Sequence, residues 1–516
     1  MTRPLTPLLK RRPTKSAYRP VGPALRLLAL VALGGGVAVC GFSAGSASSA
    51  AAPSGRPPSA GTPTSGSVTL PVLPATALTP SQLAGLNAVL RRATGFRLGV
   101  LVSDADSGQS LYARQPDSLF TPASNMKLLS LSAALYGLGP DYWFSTTVTR
   151  PAVARPAGGA QAARADHLTL VGSGDPSLGA AGGEHSLSGL ARQVYASGVR
   201  TVGALRLDSR LIGAAAGTGQ AGWQVPVVER PVIGLTLNDP SAGDGAELTT
   251  TPNARAALET LGDRFRTELE RAGVRVGSGL EVVPLAVGEQ GRGQPEEGIA
   301  TTRSAPLASL VQEALKRSDN VWTEQLYARL GVDSGTPVWR PASLVHARAQ
   351  ELALLERAGA SGSGLVLADG SGLSEQGRLT PRALALLLRY LYLHPATVNP
   401  ATVNPATLHP ATGALTPQAA FVQRRNLLIE ALPRAGTGTA TRAAVLLGGT
   451  LATRLNGLDV RAKTGTLPGV SALSGYLTTA TGRVLIFSVL MDGYGGPGQD
   501  LRRIQDALLR ALAADT

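Results

Sequence analysis

Three short motifs, far apart in the chain, contain the side chains that a serine acyl-transfer site needs. Ser124 and Lys127 form a Ser-x-x-Lys motif, Ser318 and Asn320 a Ser-x-Asn motif, and Lys463 begins a Lys-Thr-Gly run. A serine hydroxyl becomes a nucleophile when a neighbouring base removes its proton. Each motif alone is common, but the three in this order are a specific signal. The sequence therefore predicts acyl transfer through a serine ester.

Lysine is the candidate base, because no histidine neighbours a serine in a Gly-x-Ser-x-Gly elbow. The histidines are His167, His185, His346, His394 and His409. The ordinary pKa of a lysine side chain, ~10.4, is too high for a base at neutral pH. We expect burial of Lys127 and the nearby cation of Lys463 to lower the pKa of Lys127.

A helix is predicted to carry the first motif. Thr121 fits the N-cap and Pro122 the first helical position, and the apolar residues from Leu128 to Leu135 continue the helix. Residues three apart share a helix face, so the amine of Lys127 can reach the hydroxyl of Ser124. The positive end of the helix dipole would favour the charge of a tetrahedral intermediate.

The other two motifs supply the partners of the nucleophile. Ser318 can relay a proton from Lys127 to a leaving amine, and Asn320 can hydrogen-bond a substrate amide. We expect Ser318 and Asn320 to interrupt a helical region at the edge of a cleft.

The Lys463 run is predicted on an edge strand beside the Ser124 helix. Lys463 contributes positive charge, Thr464 a hydroxyl for a substrate carboxylate, and Gly465 room for the substrate to pass. The main-chain N–H groups of Ser124 and Thr466 would form the oxyanion hole.

The sequence at both ends of the folded part predicts strands that pair in one sheet and helices that pack on it. Thr79-Pro80 begins an amphipathic helix, and residues 97–103 and 110–113 form a hairpin. Residues 472–478 and 483–491 are strand-like, and residues 500–512 place their leucines on one helix face. We predict an α+β or α/β multidomain protein whose catalytic domain comprises residues 79–145 and 298–516.

Residues 146–297 are predicted to form an inserted, mostly β accessory domain, because so long a segment is not a simple connection. Its strand-like pieces are His167–Val171, Val202–Asp208 and Val232–Leu237. A Pro-Ala-Thr repeat occupies residues 394–414, where a proline at every fifth position forbids a continuing helix or central strand. We interpret this repeat as an exposed loop.

The N-terminus has the layout of a secretory signal peptide. Residues 1–50 combine seven basic residues, no acid, an apolar run from Leu27 to Val39 and a zone of small residues. Residues 51–78 are rich in Pro, Gly, Ser and Thr and are interpreted as a flexible linker. We expect export across the cytoplasmic membrane to the periplasm or cell envelope. An uncleaved anchor, or a lipid on Cys40, stays open as an alternative, and with it a loose membrane association.

The charge distribution and the cysteine content exclude several classes. The chain carries a net charge of +14, half of it from the N-terminal segment, and no basic run with interleaved aromatics indicates a nucleic-acid partner. Cys40 is the sole cysteine, and neither a CxxC nor an HExxH pattern occurs, so we expect no metal and no other cofactor. The residues Gly493 to Gly498 fit Gly-x-Gly-x-x-Gly but lack a following βαβ unit for a nucleotide.

The order of the motifs resembles that of the penicillin-recognising enzymes. Gly174-Asp175-Pro176, Asp369 to Ser374 and the segment from Leu458 to Leu477 narrow the resemblance to peptidase family S13, the class C low-molecular-mass penicillin-binding proteins of the penicillin-binding protein 4 type. The resemblance runs from about residue 80 to the end. The inserted stretch is short for this family, and the Pro-Ala-Thr repeat is peculiar to this chain.

The resemblance implies a β-lactamase/transpeptidase-like domain with accessory lobes. It also implies D-Ala-D-Ala carboxypeptidase or endopeptidase action on peptidoglycan peptides, and binding of β-lactam antibiotics. By this resemblance Ser124 would be the nucleophile and Lys127 the base, with Ser318, Asn320 and Lys463 as their partners. Two alternatives stay open: a serine β-lactamase with the same residues, and an envelope-binding protein without activity. For Asp369 to Ser374, a structural turn and a direct catalytic role are both open.

Overall fold

A five-stranded antiparallel sheet and the helices packed on it carry the three motifs. The computed structural model describes residues 77–152, 163–212, 231–238, 254–283, 296–332, 342–360, 362, 364–396 and 426–514. In chain order the elements are α1 (Pro80–Arg92), β1 (Arg97–Asp104), β2 (Ser110–Arg114), α2 (Met126–Leu138), β3 (Ser145–Pro151), β4 (Arg164–Gly172), α3 (Leu187–Ala196), β5 (Thr201–Asp208), α4 (Ala254–Arg271), β6 (Arg275–Val282), β7 (Glu296–Arg303), α5 (Leu307–Arg317), α6 (Asn320–Leu330), α7 (Leu344–Arg357), α8 (Pro381–Leu393), α9 (Leu427–Ala431), α10 (Arg442–Gly448), β8 (Asp459–Leu467), β9 (Val470–Thr478), β10 (Val484–Asp492) and α11 (Gly498–Ala513).

The strand order of this sheet is β2-β1-β10-β9-β8, so strands from both ends of the chain pair with each other. Strand β1 is antiparallel to β10, with Leu98 opposite Met491. The predictions of the hairpin, of the C-terminal strands and of a sheet closed by both ends are confirmed. Strand β8, which contains Lys463, lies at the edge, as predicted.

Both faces of the central strands β1, β10 and β9 are buried, because their alternate residues pack against different layers of helices. Leu485 and Phe487 of β10 belong to the core beneath α1 and α11. Ile486 and Leu490, between and beyond them, belong to the core formed with α2, α5, α6, α7 and α8. Helix α1 begins as predicted, with a capping box between Thr79 and Gln82. The sheet is therefore held between two apolar layers, and α2 lies on the larger one.

A second sheet, of strand order β6-β5-β4-β3-β7, extends from Ser145 to Arg303. Strands β4, β5 and β6 are parallel, and α3 and α4 connect them, so this part contains more helix than the predicted mostly β lobe. It has its own apolar core. Strand β7 continues past the predicted boundary at residue 297, because it pairs with β3 along its length.

The prediction of a strand at Val232–Leu237 is wrong. These residues are irregular, because the N–H and the carbonyl of Ile233 bond to the side chain of Gln325 in α6 instead of to a neighbouring strand. The side chains of Ile233 and Leu235 are nevertheless buried. The predicted signal peptide, nearly all of the linker and most of the Pro-Ala-Thr repeat lie outside the described residues.

Candidate active site

The nucleophile motif does not begin its helix as predicted. Ala123, at φ +46°, begins a single 3-10 turn, Ala123–Asn125, and α2 follows from Met126. Thr121, predicted as the N-cap, accepts a hydrogen bond from Arg378 instead. A residue at positive φ cannot continue an α-helix, so the chain enters α2 through a tighter turn. The 3-10 turn still places Ser124 about one helical turn before Lys127.

Lys127 lies at the centre of the site. The Lys127 side chain is fully buried, and its Nζ donates to Ser124 Oγ at 3.1 Å, to Asn320 Oδ1 at 2.6 Å and to the main-chain carbonyl of Ser371 at 2.6 Å. These three acceptors satisfy the three N–H groups of the ammonium, and one of them is the predicted nucleophile.

Burial lowers the pKa of Lys127 to about 8, and the carboxylates of Glu324, Asp369 and Asp319 oppose the decrease. Burial also lowers the pKa of Lys463 well below its ordinary value, and the nearby charge of Lys127 lowers it further. Burial is the larger cause of the lowered pKa of each lysine, and the repulsion between the two ammonium groups acts on both. Two ammonium groups enclosed together favour the loss of one proton.

Lys463 and Ser318 form the second half of the site. The connection between α5 and α6 is two residues long, with Ser318 at φ +58° and Asp319 as the N-cap of α6. Ser318 Oγ accepts a hydrogen bond of 2.7 Å from Lys463 Nζ. The interruption of a helical region at this motif was predicted, and it aims the Ser318 hydroxyl at β8.

Strand β8 is tied to the nucleophile turn by close contacts. The side-chain amide of Asn125 donates to the main-chain carbonyl of Lys463 at 3.0 Å. A Cβ on Gly465 would lie 2.9 Å from the carbonyl of Pro122 and 3.0 Å from the nitrogen of Ser124, so glycine permits this approach. The structure thus brings Ser124, Lys127, Ser318, Asn320 and Lys463 together.

Two side chains that are predicted to contact the substrate also bond to other residues of the protein. The side-chain oxygen Oδ1 of Asn320 accepts a hydrogen bond from Lys127, and its bond to a substrate amide stays a prediction. The hydroxyl of Thr464 donates to the hydroxyl of Thr450 at 2.8 Å, so these two threonines adjoin the edge of the site. Thr466 follows on the exposed end of β8.

The segment from Asp369 to Ser374 is a turn that also contacts the base. The carboxylate of Asp369 accepts hydrogen bonds from the hydroxyl of Ser371 and from the main-chain N–H groups of Gly372 and Ser374. Ser371 then turns its carbonyl oxygen to Lys127. Sequence reasoning missed this carbonyl, and also Asn125 and Glu324. The spacing of four between Asn320 and Glu324 was the available signal, because it places both on one face of α6.

Gly372 lies at φ +77°, and a Cβ there would overlap the carbonyl oxygen of Ala123 beside the nucleophile. We expect Gly372→Ala to destabilise the fold by about 2–4 kcal/mol, because strained backbone and overpacking add. The measurement is chemical denaturation, with kcat/KM measured in parallel.

Gly482→Ala is the matched control. Gly482 has φ +82°, but a Cβ there would meet no described atom within 4 Å. This variant carries only the backbone cost of about 1 kcal/mol. Equal losses in the two variants would show that the contact with Ala123 contributes nothing.

A half-buried serine lies in the turn before a helix, with a lysine of lowered pKa at its hydroxyl, and a second lysine lies on the adjoining edge strand. This arrangement defines a serine acyl-transfer enzyme of the penicillin-recognising fold. Residues 83–225, 240–405 and 402–515 match the D-Ala-D-Ala carboxypeptidase 3 (S13) family. The chain belongs to this family and is a serine hydrolase of the D-Ala-D-Ala carboxypeptidase type.

Curated relatives and solved structures agree with this assignment. The chain is 29% identical to the D-alanyl-D-alanine carboxypeptidase of an Actinomadura species (strain R39), over 86% of this chain and 89% of that one. It is 30% identical to a carboxypeptidase of Mycobacterium tuberculosis, over 85% of both. The crystal structure of penicillin binding protein 4 from Haemophilus influenzae superposes with a TM-score of 0.60 at 19% identity, covering 83% of this chain and 99% of that one. This last similarity shows the fold.

In the described part of the chain, no cluster of His, Cys, Asp and Glu has the make-up of a metal site. No helix among the same residues is both long and apolar enough to span a bilayer.

Proposed function

We propose that the protein removes the terminal D-alanine of peptidoglycan stem peptides through an acyl-enzyme on Ser124. The distance of 3.1 Å between Lys127 Nζ and Ser124 Oγ carries this proposal, because it pairs a nucleophile with its base in a buried site of the S13 family. The related carboxypeptidases named above support the choice of substrate.

In acylation, Ser124 Oγ attacks the carbonyl carbon of the penultimate D-alanine, and unprotonated Lys127 takes the hydroxyl proton. The main-chain N–H groups of Ser124 and Thr466 would bind the oxyanion. As the C–N bond breaks, a proton passes to the leaving amine through the hydroxyl of Ser318, which Lys463 Nζ contacts at 2.7 Å. Water then hydrolyses the ester and frees Ser124.

The far end of the substrate has a free carboxylate, and the edge of β8 offers it a positive, hydroxyl-bearing surface. We place this carboxylate near Thr464, with the charge of Lys463 behind it. Thr450 adjoins the same position through its bond to Thr464. A β-lactam presents a carboxylate and a reactive amide in a similar arrangement and would acylate Ser124 in the same way.

A labelled fluorescent penicillin separates this proposal from its alternatives. We expect a stable adduct that adds the mass of one penicillin per chain, together with release of D-alanine from an N-acylated D-Ala-D-Ala peptide. Rapid turnover of penicillin would instead indicate a β-lactamase. A folded protein that neither reacts with penicillin nor releases D-alanine would indicate an envelope-binding role. Mass analysis of digested cell-wall peptides separates carboxypeptidase from endopeptidase action.

We also propose that the protein is exported and acts in the cell envelope. The basic, apolar and small-residue regions of residues 1–50 support export, and the substrate class agrees with it. The mass of the protein recovered from cells tests this: cleavage near Ala50 is expected, and a full-length chain or a lipid on Cys40 would indicate membrane attachment instead.

A further inference from the structure

A buried carboxylate lies behind the proposed base, one helical turn along α6 from Asn320. Glu324 is fully buried, and its Oε1 accepts the main-chain N–H of Ser371 at 2.6 Å. The carbonyl of the same residue, Ser371, accepts the ammonium of Lys127 at 2.6 Å. One residue of the turn therefore joins a buried anion to a buried cation, with a short charge-assisted hydrogen bond at each end.

The turn that contains Ser371 has little freedom to rearrange. A Cβ on Gly370 would overlap the ring of Tyr327, and a Cβ on Gly372 would overlap the carbonyl of Ala123. Asp369 uses its carboxylate to close the turn itself. Glu324 fixes the preceding peptide unit through the Ser371 N–H, and Asp369 holds the following unit, which carries the Ser371 carbonyl, through the Gly372 N–H.

We propose that Glu324 is a positioning residue for the base: its carboxylate anchors the main chain at the Ser371 N–H, so that the carbonyl of the same residue keeps the Lys127 amine against Ser124. The proposal rests on the assignment of Lys127 as the base. Because Glu324 and Lys127 are both enclosed away from water, the negative charge of Glu324 also stabilises the protonated form of Lys127. Glu324 would therefore act on the pH at which the base becomes active.

The charged and titratable groups around Lys127 lie on α6, on α7, in the turn that contains Ser371 and on β8. They are Asp319 at the N-cap of α6, Glu324 and Tyr327 of α6, Glu351 and Arg348 of α7, Asp369 of the turn, and Lys463 of β8. The fully buried side chains of α5 and α8 in the same core are Leu, Val and Ala, and Tyr390 and Tyr392 of α8 pack against that core.

Glu351 offers a matched control for Glu324. It is equally buried and accepts a hydrogen bond from the Tyr327 hydroxyl. Burial raises the pKa of Glu351 well above its ordinary value, and the carboxylates of Glu324 and Asp369 add to the increase. The raised pKa favours the neutral form of this carboxyl group. Glu351→Gln therefore repeats the change of shape with a smaller change of charge than Glu324→Gln.

The test compares wild type, Glu324→Gln, Glu324→Asp and Glu351→Gln by the pH dependence of kcat/KM for D-alanine release. In Glu324→Gln the side chain can still accept the Ser371 N–H but lacks the charge, so the pKa of Lys127 falls. The acidic limb of the profile, where kcat/KM falls as the pH is lowered, then moves to a pH about one unit lower. In Glu324→Asp the charge remains but the shorter side chain withdraws from Ser371. The acidic limb therefore stays at the same pH, and kcat/KM falls by about ten- to a hundredfold. Glu351→Gln leaves the limb in place.

An acidic limb that coincides for wild type and Glu324→Gln would overturn the proposal, and so would an equal shift in Glu351→Gln. Circular dichroism checks the fold of each variant. If neither Glu324 variant folds, the residue serves stability and the proposal is wrong. Failure of the proposed function looks different, because the wild-type protein itself would then neither release D-alanine nor form a penicillin adduct.

Discussion

Replacing Ser124 with alanine is expected to abolish labelling by penicillin and to lower kcat/KM for D-alanine release by about 10⁴-fold or more. The substitution removes the atom that forms the acyl ester, and the other two acceptors of Lys127 are amide oxygens of Asn320 and Ser371, which are poor nucleophiles. Ser124 is half-buried, and its hydroxyl contributes a single hydrogen bond from Lys127 to the fold. The free energy of unfolding should therefore change by no more than about 1 kcal/mol.

Ser132→Ala is the control for this experiment. Ser132 lies on the same helix, and its buried hydroxyl has no hydrogen-bond partner in the part of the chain that the structure describes. Its removal should leave labelling and D-alanine release unchanged. Intact-protein mass spectrometry after incubation with penicillin is the direct measurement. An adduct of normal mass on Ser124→Ala would show that another residue is the nucleophile.

Lys127→Met is expected to lower kcat/KM by about 10³-fold, the size of a general-base contribution. Methionine is unbranched and of similar length, so it fills the buried space but cannot accept the Ser124 proton. The rate of penicillin acylation should fall with kcat/KM, because both reactions need the same activated hydroxyl. A stopped-flow acylation assay measures this.

Lys316→Met provides a matched comparison with Lys127→Met. Lys316 is also buried, and burial lowers its pKa to about 8, an effect to which the cations of Arg461 and Arg434 add. Its ammonium, however, donates to the main-chain carbonyls of Leu432 and Leu447 at the ends of α9 and α10. This variant should lose about 1–3 kcal/mol of stability, because buried carbonyls lose their donors, and keep its acylation rate within about tenfold. An equal decrease of the acylation rate in Lys127→Met and Lys316→Met would show that Lys127 is not the base.

The pH dependence of the wild-type enzyme follows from the same lysine. Burial lowers the pKa of Lys127 to about 8, so its base form increases as the pH rises through that value. We expect kcat/KM to fall on the acidic side of about pH 8, where the protonated amine cannot accept the Ser124 proton. The limb should disappear in Lys127→Met, because the remaining activity has no base to titrate.

The amino-acid sequence by itself identified the reactive side chains of the site and the strands of the main sheet. The order Ser124-x-x-Lys127, Ser318-x-Asn320 and Lys463-Thr464-Gly465 contains the reactive groups, and helix periodicity already places Ser124 beside Lys127. The short apolar runs of β9 and β10 identified those strands, because runs of this length are typical of strands that are buried on both faces.

The tertiary structure alone decided how those groups are oriented and charged. The pKa of Lys127 depends on burial and on Glu324, which local sequence does not specify as a neighbour. The side-chain amide oxygen of Asn320 faces Lys127, and Ser371 contributes a main-chain oxygen that no motif encodes. Orientation and electrostatic environment arise from contacts between residues distant in the chain, whereas residue type and periodicity are local. The sequence therefore contained the reactive groups, and the packing of α2, α6 and the Asp369 turn made Lys127 a base.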